Sequence, residues 1–177
     1  GISPQRNPEF SMSSNPPSGP VPGKVIPQSP NLCAIIARTR HGVMISEMAD
    51  AASNGAGLVE LRLDFLAKAP DFKRLLEKKP CPVICTLRRK SEGGKYAYKE
   101  DDRLTLVRQA IVAGTDWVDL EWDIVEKIPR FGKVKRIVSY HNFSEIPSDI
   151  DAIYQKMCSF DVDVVKVACM AKTPDDN

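Results

Sequence analysis

The sequence lacks most features that declare a chemistry directly. It has two histidines and five cysteines, and no two cysteines form a CxxC pair, so no ligand set for a structural zinc is present. No apolar run approaches the ~20 residues that would span a bilayer. The start shows no positive region followed by an apolar stretch, which excludes a secretory signal. Neither sign of charge dominates: 25 basic against 23 acidic residues give +2, which excludes a charge-driven nucleic-acid binder. The remaining 42% apolar and 27% charged content is that of an ordinary globular protein. The expectation is a cytoplasmic protein with no membrane and no nucleic-acid partner.

Proline is plentiful but badly distributed. Eight of the 14 prolines fall within the first 30 residues, alongside only three charged side chains (Arg6, Glu9, Lys24). Six apolar residues there cannot offset the ordering entropy, so residues 1–30 are predicted to be disordered. GISPQRNPEFS, preceding Met12, has no pattern and reads as a cloning remnant. Residues 31–177 form the candidate domain. The cysteines (Cys33, Cys81, Cys85, Cys158, Cys169) are odd in number and mostly beside apolar runs, and are expected to be small buried hydrophobes in a reducing compartment.

From residue 31 a rhythm appears. Apolar runs at Leu32–Ala37, Leu58–Asp64, Pro82–Arg88, Trp117–Asp123, Lys135–His141 and Val162–Met170 alternate with helical spacing at Val43–Gly55, Glu100–Ala113 and Ser148–Cys158. Weaker helical spacing occupies Asp71–Lys79 and Ile124–Arg130. Such alternation predicts βα units and a parallel sheet. The turn after the first strand, Ala37–His41, carries neither GxGxxG nor a Walker lysine loop, which argues against a doubly wound nucleotide-binding sheet. The strands also carry charges at alternating positions. Glu60, Arg62 and Asp64 share one face and Val59, Leu61 and Leu63 the other; Asp119, Glu121 and Asp123 alternate with Val118, Leu120 and Trp122. An apolar outer face and a polar inner one is barrel geometry, and charges at C-terminal strand ends are where barrel active sites lie. The predicted fold is a (β/α)8 TIM barrel of which this chain supplies about six βα units.

Lys166 is the strongest single chemical signal. Its neighbours in Val164-Val165-Lys166-Val167-Ala168 are apolar, and burial makes a lysine a nucleophile toward carbonyls; the alternative is a stem that snorkels from an edge strand. His141 ends the adjacent strand and is suited to accept and return a proton. His41 has no evident partner and reads as surface loop. Glu60 and Arg62, two apart on one strand, could neutralise each other. Arg88 and Glu92 flank a turn whose Gly93-Gly94 pair would let it close over a ligand, while Arg88-Arg89-Lys90 reads as a solvated face. Asp119, Glu121 and Asp123 could instead hold a divalent metal. A nucleophilic lysine beside a histidine supports β-elimination or aldol cleavage through a Schiff base, and the residue pattern leaves both open.

Four motifs resemble the type I 3-dehydroquinate dehydratases: Val59-Glu-Leu-Arg-Leu-Asp64, Thr86-Leu-Arg-Arg-Lys-Ser-Glu-Gly-Gly94, Ser139-Tyr-His-Asn-Phe143 and Asp163-Val-Val-Lys-Val-Ala168. They occur in that family's order over essentially all of residues 31–177. The resemblance implies a hydro-lyase of the shikimate pathway, serving aromatic amino acid and chorismate biosynthesis, that converts 3-dehydroquinate to 3-dehydroshikimate by syn elimination. Lys166 would form the imine, His141 would move the protons, and Glu92 would orient His141. Glu60, Arg62, Arg88, Phe143 and Met170 would contact the substrate. It further implies no metal or organic cofactor, a homodimer, and sometimes fusion to shikimate dehydrogenase. The family's substrate-carboxylate arginine, with its serine and glutamine partners, belongs to a seventh and eighth strand, so the expected domain is incomplete at its C-terminus. The competing expectations are a lysine-imine aldolase barrel and a non-catalytic fragment of a larger dehydratase.

Overall fold

The computed structural model describes residues 29–97 and 99–173, so the predicted disorder of the leader falls outside it up to residue 28. The first strand starts two residues before the expected boundary. Six strands, β1 (Ser29–Ile36), β2 (Ala56–Arg62), β3 (Val83–Thr86), β4 (Trp117–Glu121), β5 (Lys135–Asn142) and β6 (Val164–Cys169), form one sheet in sequential order. Every neighbouring pair is parallel. The helices between them are α1 (His41–Ser53), α2 (Phe72–Leu76), α3 (Glu100–Val112) and α4 (Ile150–Cys158). This is a curled part of a TIM barrel, as the alternating strand pattern predicted.

Local chemistry explains the joints. Gly55 takes φ 96° just past α1, the left-handed conformation that ends a helix with little steric cost for glycine. Asp71 caps α2 by accepting the Arg74 backbone N–H at 3.0 Å, and Glu100, Asp101 and Asp102 place negative charge at the positive end of α3. The weak pattern over Ile124–Arg130 yields only a 3₁₀ turn, Val125–Lys127. His41 is not loop but the first residue of α1, and its Nε2 accepts the Asp71 backbone N–H at 2.9 Å.

The core lies on the outside of the sheet. Val59, Leu61, Val83, Val118, Leu120 and Val138 are buried against Met44 and Met48 of α1, Leu75 of α2, Leu104 and Val107 of α3 and Met157 of α4. Each such fully buried side chain contributes about 1.5–3 kcal/mol. The alternate strand positions therefore face the opposite side, where the charged residues gather. Among the described residues β1 and β6 each pair with a single strand, and they carry the exposed Leu32, Ile35, Val164 and Val167. Two of the cysteines depart from expectation: Cys81 and Cys85 are buried, but Cys33 and Cys158 are exposed, because the first lies on an edge strand and the second at the end of α4.

Ion pairs within α3 and at the entry to β6 have a consequence for acid stability. The Glu100 carboxyl is held below its usual range by the two hydrogen bonds from Arg103. Asp163 is lowered by the Arg136 backbone N–H and then by Arg130. A depressed folded-state pKa contributes stability that is present above the unfolded value, near 4, and is lost as pH falls through the lower folded one. The melting temperature should therefore hold down to about pH 5 and decline below about pH 4, and Glu100→Gln should lessen the decline. A pH series of thermal melts from 7 to 2.5 measures this, and identical curves for both chains would refute it.

Candidate active site

Strand register sets the site. Ser139 is paired with Lys166 and His141 with Ala168 across β5 and β6, while Glu121 is paired with Ser139 across β4 and β5. Residues two apart on a strand share a face, so Glu121, Ser139, His141 and Lys166 project from the same, inner face of the sheet. His141 and Lys166 are diagonal neighbours on adjacent strands.

The loop after β3 reaches over to β5. Glu92 Oε2 accepts both the His141 backbone N–H, at 3.1 Å, and His141 Nδ1, at 3.0 Å. An ionised carboxylate only accepts, so the proton belongs on Nδ1 and the Nε2 lone pair is left to act as a base. Both side chains are largely buried. The two glycines are required sterically: a Cβ on Gly94 would overlap the Arg88 carbonyl, and one on Gly93, already at φ 79°, would overlap the Phe143 ring. The glycines permit close packing, and Phe143 in turn stacks on His141 with centroids 6.1 Å apart.

Below this pair lies a buried charge network. Arg88 Nη2 meets Asp119 Oδ1 at 2.8 Å, and Arg88 Nη1 donates to Glu121 Oε1 at 3.1 Å and to Ser139 Oγ at 2.8 Å. Arg103, reaching in from α3, donates to Glu121 Oε2 and to the Leu87 carbonyl, each at 2.8 Å. Arg89 grips Asp123 with two nitrogens. Arg88 is 4% exposed, so the expected solvated face is wrong for it: a strand-end arginine turned inward is compensated by strand carboxylates. The three carboxylates weighed as metal ligands are each held by a guanidinium instead, and no metal-holding group of three or more His, Cys, Asp or Glu occurs among the described residues.

Lys166 differs from its expected burial. Among the described residues its side chain is 43% exposed, with Nζ 3.9 Å from Asp119 Oδ2. Nor do Glu60 and Arg62 neutralise each other: Glu60 accepts from the Thr86 hydroxyl at 2.8 Å, and Arg62 makes a two-pronged pair with Asp64 at 2.9 and 2.8 Å. Asp64 lies beyond the end of β2, where a 3₁₀ turn brings it back to the arginine. Phe143 and Met170 are about half exposed at the ends of their strands.

These motifs correspond to a family. The model of type I 3-dehydroquinase matches residues 32–177. The chain belongs to that family. It is 34% identical over 158 residues to the bifunctional 3-dehydroquinate dehydratase/shikimate dehydrogenase of Arabidopsis thaliana, covering 82% of this chain and 26% of that protein. It is 30% identical over 161 residues to the 3-dehydroquinate dehydratase of Dehalococcoides mccartyi, covering 85% of this chain and 67% of that one. Its fold is similar to that of the Geobacillus kaustophilus 3-dehydroquinate dehydratase, with TM-score 0.72 and 24% identity, over 82% of this chain and 63% of that chain. The chain thus spans a quarter of the bifunctional relative and about two thirds of the single-function ones. No helix among the described residues is long and apolar enough to cross a membrane.

Within this dehydroquinase half-barrel, reading the sequence missed Arg103 and Ser139. Ser139 had a signal, since it shares the inner face with His141. Arg103 had none: on a surface helix its spacing from Glu100 reads as an ordinary i, i+3 ion pair.

Proposed function

We propose that this chain carries the imine-forming part of a 3-dehydroquinate dehydratase, a hydro-lyase of the shikimate pathway that needs no cofactor. The observation that carries the reading is the Glu92–His141 pair set diagonally from Lys166 on the inner face, in a chain of the type I family. The Lys166 amine adds to the C3 ketone, and loss of water gives a cationic iminium. That cation draws electrons from the adjacent carbon, so His141 Nε2 can remove a C2 proton to form an enamine. The enamine expels the C1 hydroxyl, which leaves as water with the proton returned by His141. Hydrolysis of the conjugated iminium then frees Lys166 and the enone product.

Glu60, Arg62, Phe143 and Met170 would contact the substrate. Arg88 would use the N–H groups left after its three donations to the network. The bifunctional Arabidopsis relative supports fusion to a shikimate dehydrogenase as a possible arrangement for the whole protein, and a homodimer is proposed with it.

Reduction with borohydride in the presence of 3-dehydroquinate should leave a stable secondary amine on Lys166, heavier by the bound ketone less one water plus two hydrogens. His141→Ala should retain that adduct while turnover falls about 10²–10⁴-fold. Absence of any adduct would remove the imine mechanism, and cleavage of an aldol substrate in place of dehydration would favour an aldolase.

A further inference from the structure

We propose that Asp119 is the positioning residue for Lys166, presenting one carboxylate oxygen as a fixed counter-charge to the cationic forms of the lysine nitrogen. The proposal deepens the dehydratase reading and rests on it for the identity of the ketone.

The two oxygens of Asp119 have different surroundings. Oδ1 is taken by Arg88 Nη2 at 2.8 Å and by the Ser139 hydroxyl at 2.5 Å, whereas Oδ2 faces Lys166 Nζ at 3.9 Å. The carboxylate is 1% exposed, so it cannot swing away to solvent, and its anchors come from β3 and β5. Charge pairing points the same way. Arg88, Arg89 and Arg103 are three guanidiniums paired with four carboxylates, Glu100, Asp119, Glu121 and Asp123. Lys166 supplies the fourth cation of the set. The cavity that Lys166 and Asp119 share is also lined by Cys33 of β1 and Glu60 of β2, and Glu60 is engaged by Thr86.

At 3.9 Å the contact is Coulombic, not a hydrogen bond. A carboxylate attracts the N–H side of the nitrogen, so once a proton has left, the lone pair stays available for the ketone. Once the carbinolamine has lost water, the nitrogen must remain a cation to act as an electron sink. A fixed anion beside it favours the iminium over the neutral imine.

The test uses the full chain, 3-dehydroquinate and cyanoborohydride, which reduces the protonated iminium, with adducts mapped to Lys166 across a pH series. Asp119→Asn should slow trapping at neutral pH by about 10–100-fold and move its alkaline limb about one pH unit lower. Glu121→Gln also removes a partner of Arg88 but none of Lys166, so its limb should stay in place. Asp119→Glu keeps the charge but displaces it. Its limb should match the parent's while trapping remains slower, and this variant serves if Asp119→Asn does not fold. An unshifted limb in Asp119→Asn, an equal shift in Glu121→Gln, or parental trapping in Asp119→Glu would each overturn the proposal. If 3-dehydroquinate gives no adduct at all, the dehydratase reading fails. Acetone trapping at Lys166 then tests Asp119 separately, with the same limb shift expected.

Discussion

Replacing Lys166 with methionine is expected to reduce imine formation and turnover to background while leaving the melting temperature within about 3 °C of the parent. The chemical loss is complete because a thioether cannot add to a ketone and return as an amine. The structural cost is small for three reasons. The side chain is nearly half exposed, and it meets Asp119 only at 3.9 Å. Its strand neighbours Val165 and Val167 are apolar, and methionine matches the length of the lysine stem. Asp119 keeps Arg88 and Ser139 when the ammonium is gone. Intact-mass analysis after borohydride and a thermal melt read the two halves of this expectation. An adduct that persists would assign the imine to another lysine. Loss of cooperative melting would make Lys166 a structural residue.

Arg88→Ala should have the largest effect on stability, a loss of about 3–5 kcal/mol, or about 10–15 °C in melting temperature. The guanidinium is the shared partner of Asp119, Glu121 and Ser139, and all three are buried. Truncation leaves Glu121 with Arg103 and the more distant Arg89, but it strips the near-contact cation from Asp119. A buried carboxylate without compensation costs more than the pair contributed. The triple replacement Arg88→Met, Asp119→Leu, Glu121→Leu separates the causes. It should recover most of the lost stability, since no carboxylate is stranded, Arg103 keeps Glu100 and the Leu87 carbonyl, and volume is restored. If the triple variant melts as low as the single one, the loss is a packing defect. If Arg88→Ala melts like the parent, the network contributes nothing to folding.

The two replacements act on different links of the same chain of cause. Lys166 is proposed to supply reactivity and is expected to contribute little stability, because it meets Asp119 only at 3.9 Å. Arg88 supplies stability, because it sits where β3, β4 and β5 converge. The site therefore rests on a buried charge network, and glycines in the β3–α3 loop serve close packing. Glu92 is carried to His141 by that packed loop, which holds the imidazole in one orientation.

How much of this was legible in the sequence follows from range. Strand identity, parallel order and the division into an apolar outer and a charged inner face depend on a two-residue period, which is local and readable. Lys166, His141 and Glu92 were readable because their residue types are unusual where they stand and because the motifs around them match one family in order. Pairing partners were not readable. Arg62 takes Asp64 over Glu60 because the chain turns immediately after β2. Arg88 turns inward and Arg103 reaches under the sheet from α3. Each choice depends on which carboxylate lies within about 3 Å once the strands are curled, and several are equally near in sequence.

The sequence by itself therefore determined the family, the barrel strands and the three residues proposed for the chemistry, since those rest on local pattern. Only the tertiary structure decided which charges neutralise one another, that the glycine loop is packed, and that Asp119 is the anion facing Lys166. Electrostatic partnership is a matter of distance in space, and the curl of the sheet sets that distance.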